Sequence, residues 1–227
     1  KFLPLVEKSE QLRNVYYNLL IRFTKALIVL ERNGGPVSRE AVKALDKRYD
    51  GDIHDCLLDI TQDSDVARFE RIYEKEFNPN STKQLQELLF SVKRLTPIKK
   101  TESGAWSVDK EVLLELAQQD PLAEAILDLR EKTKLKGTYI ENILNGLDSD
   151  DRLRSSFNIT GTTSGRLSSS GTLNYQNIPK GSSDIKKLFV ARKGFSIIQA
   201  DLATAEVYVA AVLSDDKFLQ EAFVTKL

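Results

Sequence analysis

Asp201 closes the apolar run Phe195-Ser-Ile-Ile-Gln-Ala-Asp201, which reads as a buried strand, and the next residues, TAEVYVAAVL, carry helical spacing. A carboxylate at such a strand-to-helix turn can cap the helix. It can equally hold Mg²⁺, an ion that takes hard oxygen ligands and keeps waters and substrate phosphates besides. Glu206 follows near the start of that helix, where the helix dipole favours an acid. A second constellation is basic: residues 180 to 193 hold Lys180, Lys186, Lys187, Arg192 and Lys193 against Asp184 alone. A third is the tip where Lys132, Lys134 and Lys136 run into Gly137-Thr138-Tyr139. Lysines in a last helical turn also suit the dipole for purely structural reasons. Together the two basic groups suggest a track for a phosphate backbone. TTSGRLSSSG, residues 162 to 171, has the composition of a linker, yet Arg166-Leu167 sits at its centre and both flanks read as strands. Small residues there let a duplex approach closely while the guanidinium reaches a groove or a phosphate.

Other chemistries are excluded by what the chain lacks. His54 is the only histidine, so histidine triads and multi-histidine metal sites cannot form. Neither G-x-x-x-x-G-K-[ST] nor G-x-G-x-x-G occurs. Cys56 is the only cysteine; it rules out an internal disulfide and a cysteine zinc cluster, reads as core filler, and suits a reducing compartment. Carboxylate and phosphate chemistry remains.

The elements that must position these residues are mostly helical. From Leu12 the apolar positions Val15, Tyr16, Leu19, Phe23, Leu27 and Leu30 recur at helical spacing until Gly34-Gly35-Pro36 stops them. Ser38 is placed to cap a helix towards Leu58, and Asp63 or Ser64 to cap one through Tyr73, broken at Asn78-Pro79-Asn80. Ser81 and Ser107 are expected to cap further helices, and Asp120-Pro121 to open a long one through Leu135. After Asp148-Ser149-Asp150-Asp151 short extended runs appear at LRSSFNI, KKLFVA and FSIIQAD. Helices followed by strands, without strict alternation, predict an α+β fold rather than a doubly wound sheet.

The 227 residues are 41% hydrophobic and 29% charged, ordinary for a globular protein, and 33 basic residues balance 33 acidic ones. Any nucleic-acid site must therefore come from local clustering. No run approaches the ~18 apolar residues of a membrane span, and no signal peptide opens the chain, so a cytoplasmic location is expected, that of the host if a phage encodes it. The first residue is not Met and the last lie within a helical pattern, so the chain is expected to be part of something larger.

With these residues in view, the chain resembles the family A, or DNA polymerase I-like, DNA polymerases. FNITGTTSGRLSSSGTLNYQNIP resembles the pattern F-N-x-T-x-T-x-T-G-R-L-S-S followed by N-L-Q-N-I-P. DIKKLFVARKGFSIIQADLATAEVYVAAVLSDDKFLQEAF is similar to the segment ending in motif A, D-Y-S-Q-I-E-L-R. FNPNSTKQLQELLF, KKTESGAWSVDKEVLLELA and LREKTKLKGTYIENIL match more weakly, the last resembling the thumb helix and its K-L-K-S-T-Y tip. The departures are those of a divergent member, such as one from a phage: Tyr208 stands where motif A ends in arginine, Ser164 precedes the glycine of GRLSS, and GTLNYQ is one residue longer than the usual step.

The resemblance implies a partial right-hand polymerase fold, with a palm-base helix over 1–37, a helical thumb over 38–150 and the first part of an antiparallel palm sheet over 151–227. It implies DNA-templated addition of deoxynucleotides to a primer 3′ end through two Mg²⁺ ions. Asp201 matches the motif A aspartate that holds both ions, and Leu202 would lend its carbonyl. Glu206 matches the glutamate that shapes the sugar pocket and excludes a ribose 2′-hydroxyl. Arg166, Gln176 and Asn177 match residues contacting the primer-template near its growing end, and Lys136, Thr138 and Tyr139 match the thumb tip on the duplex backbone. The fingers helix and the H-D-E motif with the second metal carboxylate find no counterpart in these residues. The chain alone is therefore expected to be inactive, its partners being primer-template DNA, deoxynucleoside triphosphates and a C-terminal polymerase half or the rest of the polypeptide, with no membrane. The alternative is a non-catalytic primer-template binding module that retains the scaffold.

Overall fold

A computed structural model describes residues 2–179, 181, 183–202 and 204–225, the last two as backbone. It divides into two compact units, Lys1–Val190 and Ala191–Leu227. In the first, α1 (Leu3–Glu7) and α2 (Glu10–Arg13) lead through a π-helical stretch, Asn14–Leu20, into α3 (Ile21–Asn33). This is the long helix that the apolar spacing predicts. Of its apolar stripe only Leu27 is buried; Leu12, Val15, Leu19, Phe23 and Leu30 stay exposed. Gly34 ends the helix at φ +58, and a Cβ there would lie 2.6 Å from the Leu153 carbonyl oxygen, so the turn requires glycine.

α4 (Arg39–Gln62) starts at Ser38, whose hydroxyl accepts the Ala41 N–H at 3.2 Å. It runs past the expected end at Leu58, because Asp63 caps α5 (Ser64–Tyr73) directly after it, accepting the Asp65 and Val66 N–H groups at 2.8 and 3.4 Å. α5 stops at Glu74, in the left-handed region at φ +50, before the expected break at Asn78. Ser81 caps α6 (Thr82–Gln86), which continues as a π-helical stretch, Glu87–Val92. α7 (Lys110–Leu116) is capped by Asp109 and not by Ser107: the carboxylate adjoins the first turn and accepts the Val112 N–H at 3.0 Å, while the Ser107 hydroxyl accepts the Asp109 N–H at 3.1 Å. α8 (Pro121–Leu135) is capped by Asp120 as expected.

Two cores result. One gathers Ile60, Phe69, Leu85, Leu88, Leu89, Leu113, Leu116 and Ile126, none more than 1% exposed, from α4 to α8. Each such side chain contributes about 1.5–3 kcal/mol by leaving water. At the core's edge Lys93 lies 3.0, 3.2 and 3.6 Å from Asp120, Asp65 and Asp63, so one cation joins the caps of α5 and α8. Burial opposes its charge, but hydrogen bonds and attraction from Asp120, then Asp65 and Asp63, hold its pKa above the ordinary value. The second core packs the N-terminal half of α4 against Tyr139, Ile140 and Ile143 and against Leu153, Leu173, Ile185 and Leu188.

The last third of the chain is less extended than expected. β1 (Gly35–Pro36) pairs antiparallel with β2 (Arg152–Leu153), and β3 (Ser156–Asn158) with β4 (Ser168–Ser170) in the register Ser156↔Ser170. The π-helical stretch Lys136–Ile140 and α9 (Glu141–Gly146) precede β2. Much of the run KKLFVA is not extended: its lysines end α10 (Ser183–Lys187), and only Phe189 makes an antiparallel bridge, to Val37. Nor is Phe195–Asp201 a buried strand. Its backbone is irregular, with Phe195 65%, Ile197 60% and Ile198 90% exposed. A strand needs a neighbour to take its N–H and C=O groups, and no described residue pairs with this run. α11 (Ala205–Leu213) and α12 (Lys217–Thr225) complete the second unit. The fold is mostly helical with small antiparallel ladders, α+β as predicted.

Candidate nucleic-acid interface

Residues 162 to 171 are not a linker. Ser168–Ser170 are strand β4, and 159–167 form the long loop of the β3–β4 hairpin. Inside it Gly165 adopts φ +73 and donates its N–H to the Thr162 carbonyl at 3.3 Å, while the Thr162 hydroxyl donates to the Arg166 carbonyl at 2.7 Å. These bonds close the loop upon itself, with Arg166 exposed.

Beside the hairpin stands a single 3₁₀ turn, Tyr175–Asn177. The Asn174 side chain caps it, accepting the Gln176 N–H at 2.9 Å, and donates to the Ser169 carbonyl of β4 at 2.8 Å. The Gln176 side-chain amide donates to the Leu167 carbonyl at 2.9 Å, one residue from Arg166. Tyr175 donates its hydroxyl to the Leu153 carbonyl at 2.7 Å and packs on Phe189, so the turn is tied to β2 as well. Burial holds the Tyr175 pKa above the ordinary phenol value. Gln176 and Asn177 are exposed. Asn174 opens the NYQNIP block, yet the resemblance assigns it no contact, and Tyr175 stands where the pattern has leucine; the local signal for Asn174 is its place two residues before Gln176, the spacing of a side-chain cap on a turn.

At the helical tip the π-helical turn Lys136–Ile140 separates three adjacent candidates. Thr138 is exposed. Tyr139 is 8% exposed and donates its hydroxyl inward, to the Asn177 carbonyl at 2.8 Å. Lys136 lies 2.8 Å from both Asp46 and Asp50 of α4, and the hydrogen bonds it donates to these carboxylates push its pKa up to about 12. Its charge is thus shared with α4. Near the tip Lys134, Tyr49, Tyr139, Pro179 and Ser183 line an open cleft of about 470 Å³. Of the basic run, Lys186 and Lys187 are exposed on α10, Asp184 pairs with Arg48, and Lys180 lies outside the described residues. The structure therefore gathers Tyr139, Gln176, Asn177 and the Arg166 loop into one hydrogen-bonded assembly.

In the second unit Asp201 and Leu202 are exposed, and Glu206 lies in the first turn of α11. Thr204, at the N-terminus of α11, takes the left-handed conformation at φ +53. Arg192, from the basic run, stacks over the Phe195 ring at 4.7 Å. Asp201 and the Leu202 carbonyl are hard oxygen donors of the kind Mg²⁺ takes. Among the described residues no group of three or more His, Cys, Asp or Glu side chains is placed to hold a metal ion. Also among them, no helix is long and apolar enough to cross a membrane.

The family model of DNA polymerase family A matches residues 58–227. The DNA polymerase of Escherichia phage T5 is 43% identical over 98% of this chain and 26% of its own length. DNA polymerase I of Chloroflexus aurantiacus is 33% identical over 96% of this chain and 23% of its own length. This chain thus spans about a quarter of the length of those relatives. Among solved structures, the POL domain of Pol1 from M. smegmatis, in complex with a DNA primer-template and dNTP, superposes with a TM-score of 0.76 at 28% identity, covering 97% of this chain and 38% of that one. With the model matched across three quarters of its residues, the chain belongs to DNA polymerase family A.

Proposed function

We propose that this chain is the thumb and first palm segment of a DNA-templated DNA polymerase that adds deoxynucleotides to a primer 3′ end, in DNA replication or repair. Residues 1–37 form the palm base, 38–150 the thumb and 151–227 the start of the palm. The observation that carries the reading is the assembly in which the helical tip, through Tyr139, and the Arg166 hairpin, through Gln176, meet on one turn. Arg166, Gln176, Asn177 and Thr138 then face the primer-template, Lys136 adds to that face the charge it shares with α4, and Tyr139 holds the face in place. Contacts of this kind are sequence-tolerant and salt-sensitive. The related M. smegmatis POL domain was solved in complex with a DNA primer-template and dNTP, partners that fit this reading.

Asp201 and the Leu202 carbonyl would hold the two Mg²⁺ ions. Those ions, when bound, supply the charge that stabilises the attacking and leaving oxygens of phosphoryl transfer. Glu206, held in the first turn of α11, would line the sugar side of the nucleotide pocket and exclude a 2′-hydroxyl. One carboxylate does not complete such a centre, so the chain alone is inactive and needs the C-terminal polymerase half that carries the second acid.

Primer extension with Mg²⁺ and deoxynucleotides tests this, comparing the chain alone, the chain joined to or mixed with a C-terminal half from a relative, and Asp201→Ala in that assembly. Extension that needs the second half and vanishes with Asp201→Ala is the expected result. Glu206→Ala in the active assembly should admit ribonucleotides. Duplex binding without extension in any combination would replace the polymerase reading by that of a binding module.

A further inference from the structure

We infer that Asn174 is a positioning residue for the primer-template face: it seats the turn bearing Gln176 and Asn177 on β4 and thereby sets where Arg166 meets a duplex. The inference rests on the duplex reading of Arg166 given above. Asn174 turns its whole amide inward. Its Oδ1 accepts from the Gln176 N–H at 2.9 Å and from the Ser169 hydroxyl, and its Nδ2 donates to the Ser169 carbonyl at 2.8 Å. Ser169 is buried and lies opposite Phe157 in the β3–β4 ladder. The turn is thus fastened to the centre of the hairpin, and the Gln176 amide, 2.9 Å from the Leu167 carbonyl, fastens it again beside Arg166. Tyr139 holds the far side of the same turn through the Asn177 carbonyl.

Only an amide serves all three bonds. Alanine would leave the Gln176 N–H and both Ser169 groups without this partner, whereas serine keeps a cap for Gln176 but is too short for Ser169. These three bonds of Asn174 go to Ser169 and Gln176, so the effect on DNA runs through the shape of the loop.

The 227-residue chain is titrated with a fluorescein-labelled primer-template by anisotropy, as wild type, Asn174→Ala, Asn174→Ser, Arg166→Ala and the Asn174→Ala/Arg166→Ala double variant. Asn174→Ala is expected to weaken binding about fivefold or more, with Asn174→Ser between it and wild type. Arg166→Ala should cost much less in the Asn174→Ala background than alone. In the absence of DNA, the NMR resonances of the Leu167 amide and the Gln176 side-chain amide should move in Asn174→Ala, while the methyl signals of Leu113 and Ile126 in the other core stay in place and report an intact fold. Additive losses, wild-type affinity in Asn174→Ala, or unmoved Leu167 and Gln176 signals would each overturn the positioning role while leaving the duplex reading intact. A wild-type chain that does not bind the duplex would overturn that reading and this inference together.

Discussion

Tyr139 donates its phenolic hydrogen to the backbone carbonyl of Asn177 at 2.8 Å, joining the helical tip to the turn beside the Arg166 hairpin. Two positions singled out from separate stretches of sequence are thus partners of each other. Tyr139→Phe keeps the ring in its buried site and removes one bond, leaving the Asn177 carbonyl without this donor. The expected loss is about 1 kcal/mol of unfolding free energy in urea, with an unchanged m-value. No loss would mean that solvent replaces the hydroxyl without cost.

Arg166 is exposed on a loop whose backbone is closed by its own hydrogen bonds. Arg166→Ala is expected to leave the backbone of the loop closed and to weaken primer-template binding. If the guanidinium meets a phosphate, the slope of log affinity against log salt should fall by about 1. An unchanged slope with weaker binding would move the contact from phosphate to a base edge.

Lys136 has a pKa raised to about 12 by the hydrogen bonds it donates to Asp46 and Asp50. A lysine whose pKa is raised by folding adds stability that is fully present below the ordinary value of 10.5 and is lost as pH rises through about 12. Urea unfolding between these pH values should show wild type losing stability faster than Lys136→Met. The same ion pairs compete with phosphate, so Asp46→Asn combined with Asp50→Asn is expected to tighten duplex binding, most at low salt. Equal affinity would exclude Lys136 from the duplex track.

Lys93, its side chain 8% exposed, is the shared cation of three carboxylates. Lys93→Met leaves Asp63, Asp65 and Asp120 facing one another without it. The expected cost is about 2 kcal/mol, below the ~3–5 kcal/mol of a fully buried pair because the carboxylates keep some solvent. Its raised pKa has the same sign as that of Lys136, so this contribution also fades only above pH 10.5. Circular dichroism melts at pH 7 would check the magnitude.

Periodicity and caps made most of the helical layer readable, because a helix closes its hydrogen bonds within its own segment and needs only local signals to begin and end. Ser38, Asp63, Ser81 and Asp120 cap helices as their types predict, and the GRLSS and motif A blocks alone sufficed to suggest the family. Ser107 misled because two residue types that both favour helix N-caps stand two residues apart, and the nearer one, Asp109, takes the first turn. What only the tertiary structure decided involves partners remote in sequence. Phe195–Asp201 has the composition of a strand, but extended backbone is stable only when another segment lies beside it, and none does here among the described residues. Lys136, Thr138 and Tyr139 look alike as tip residues until packing sorts them: one to the carboxylates of α4, one to solvent, one to the carbonyl of Asn177. Residue types determine which chemistry is available, but which groups keep their charge and donors for a ligand depends on what folding brings within about 3 Å of them.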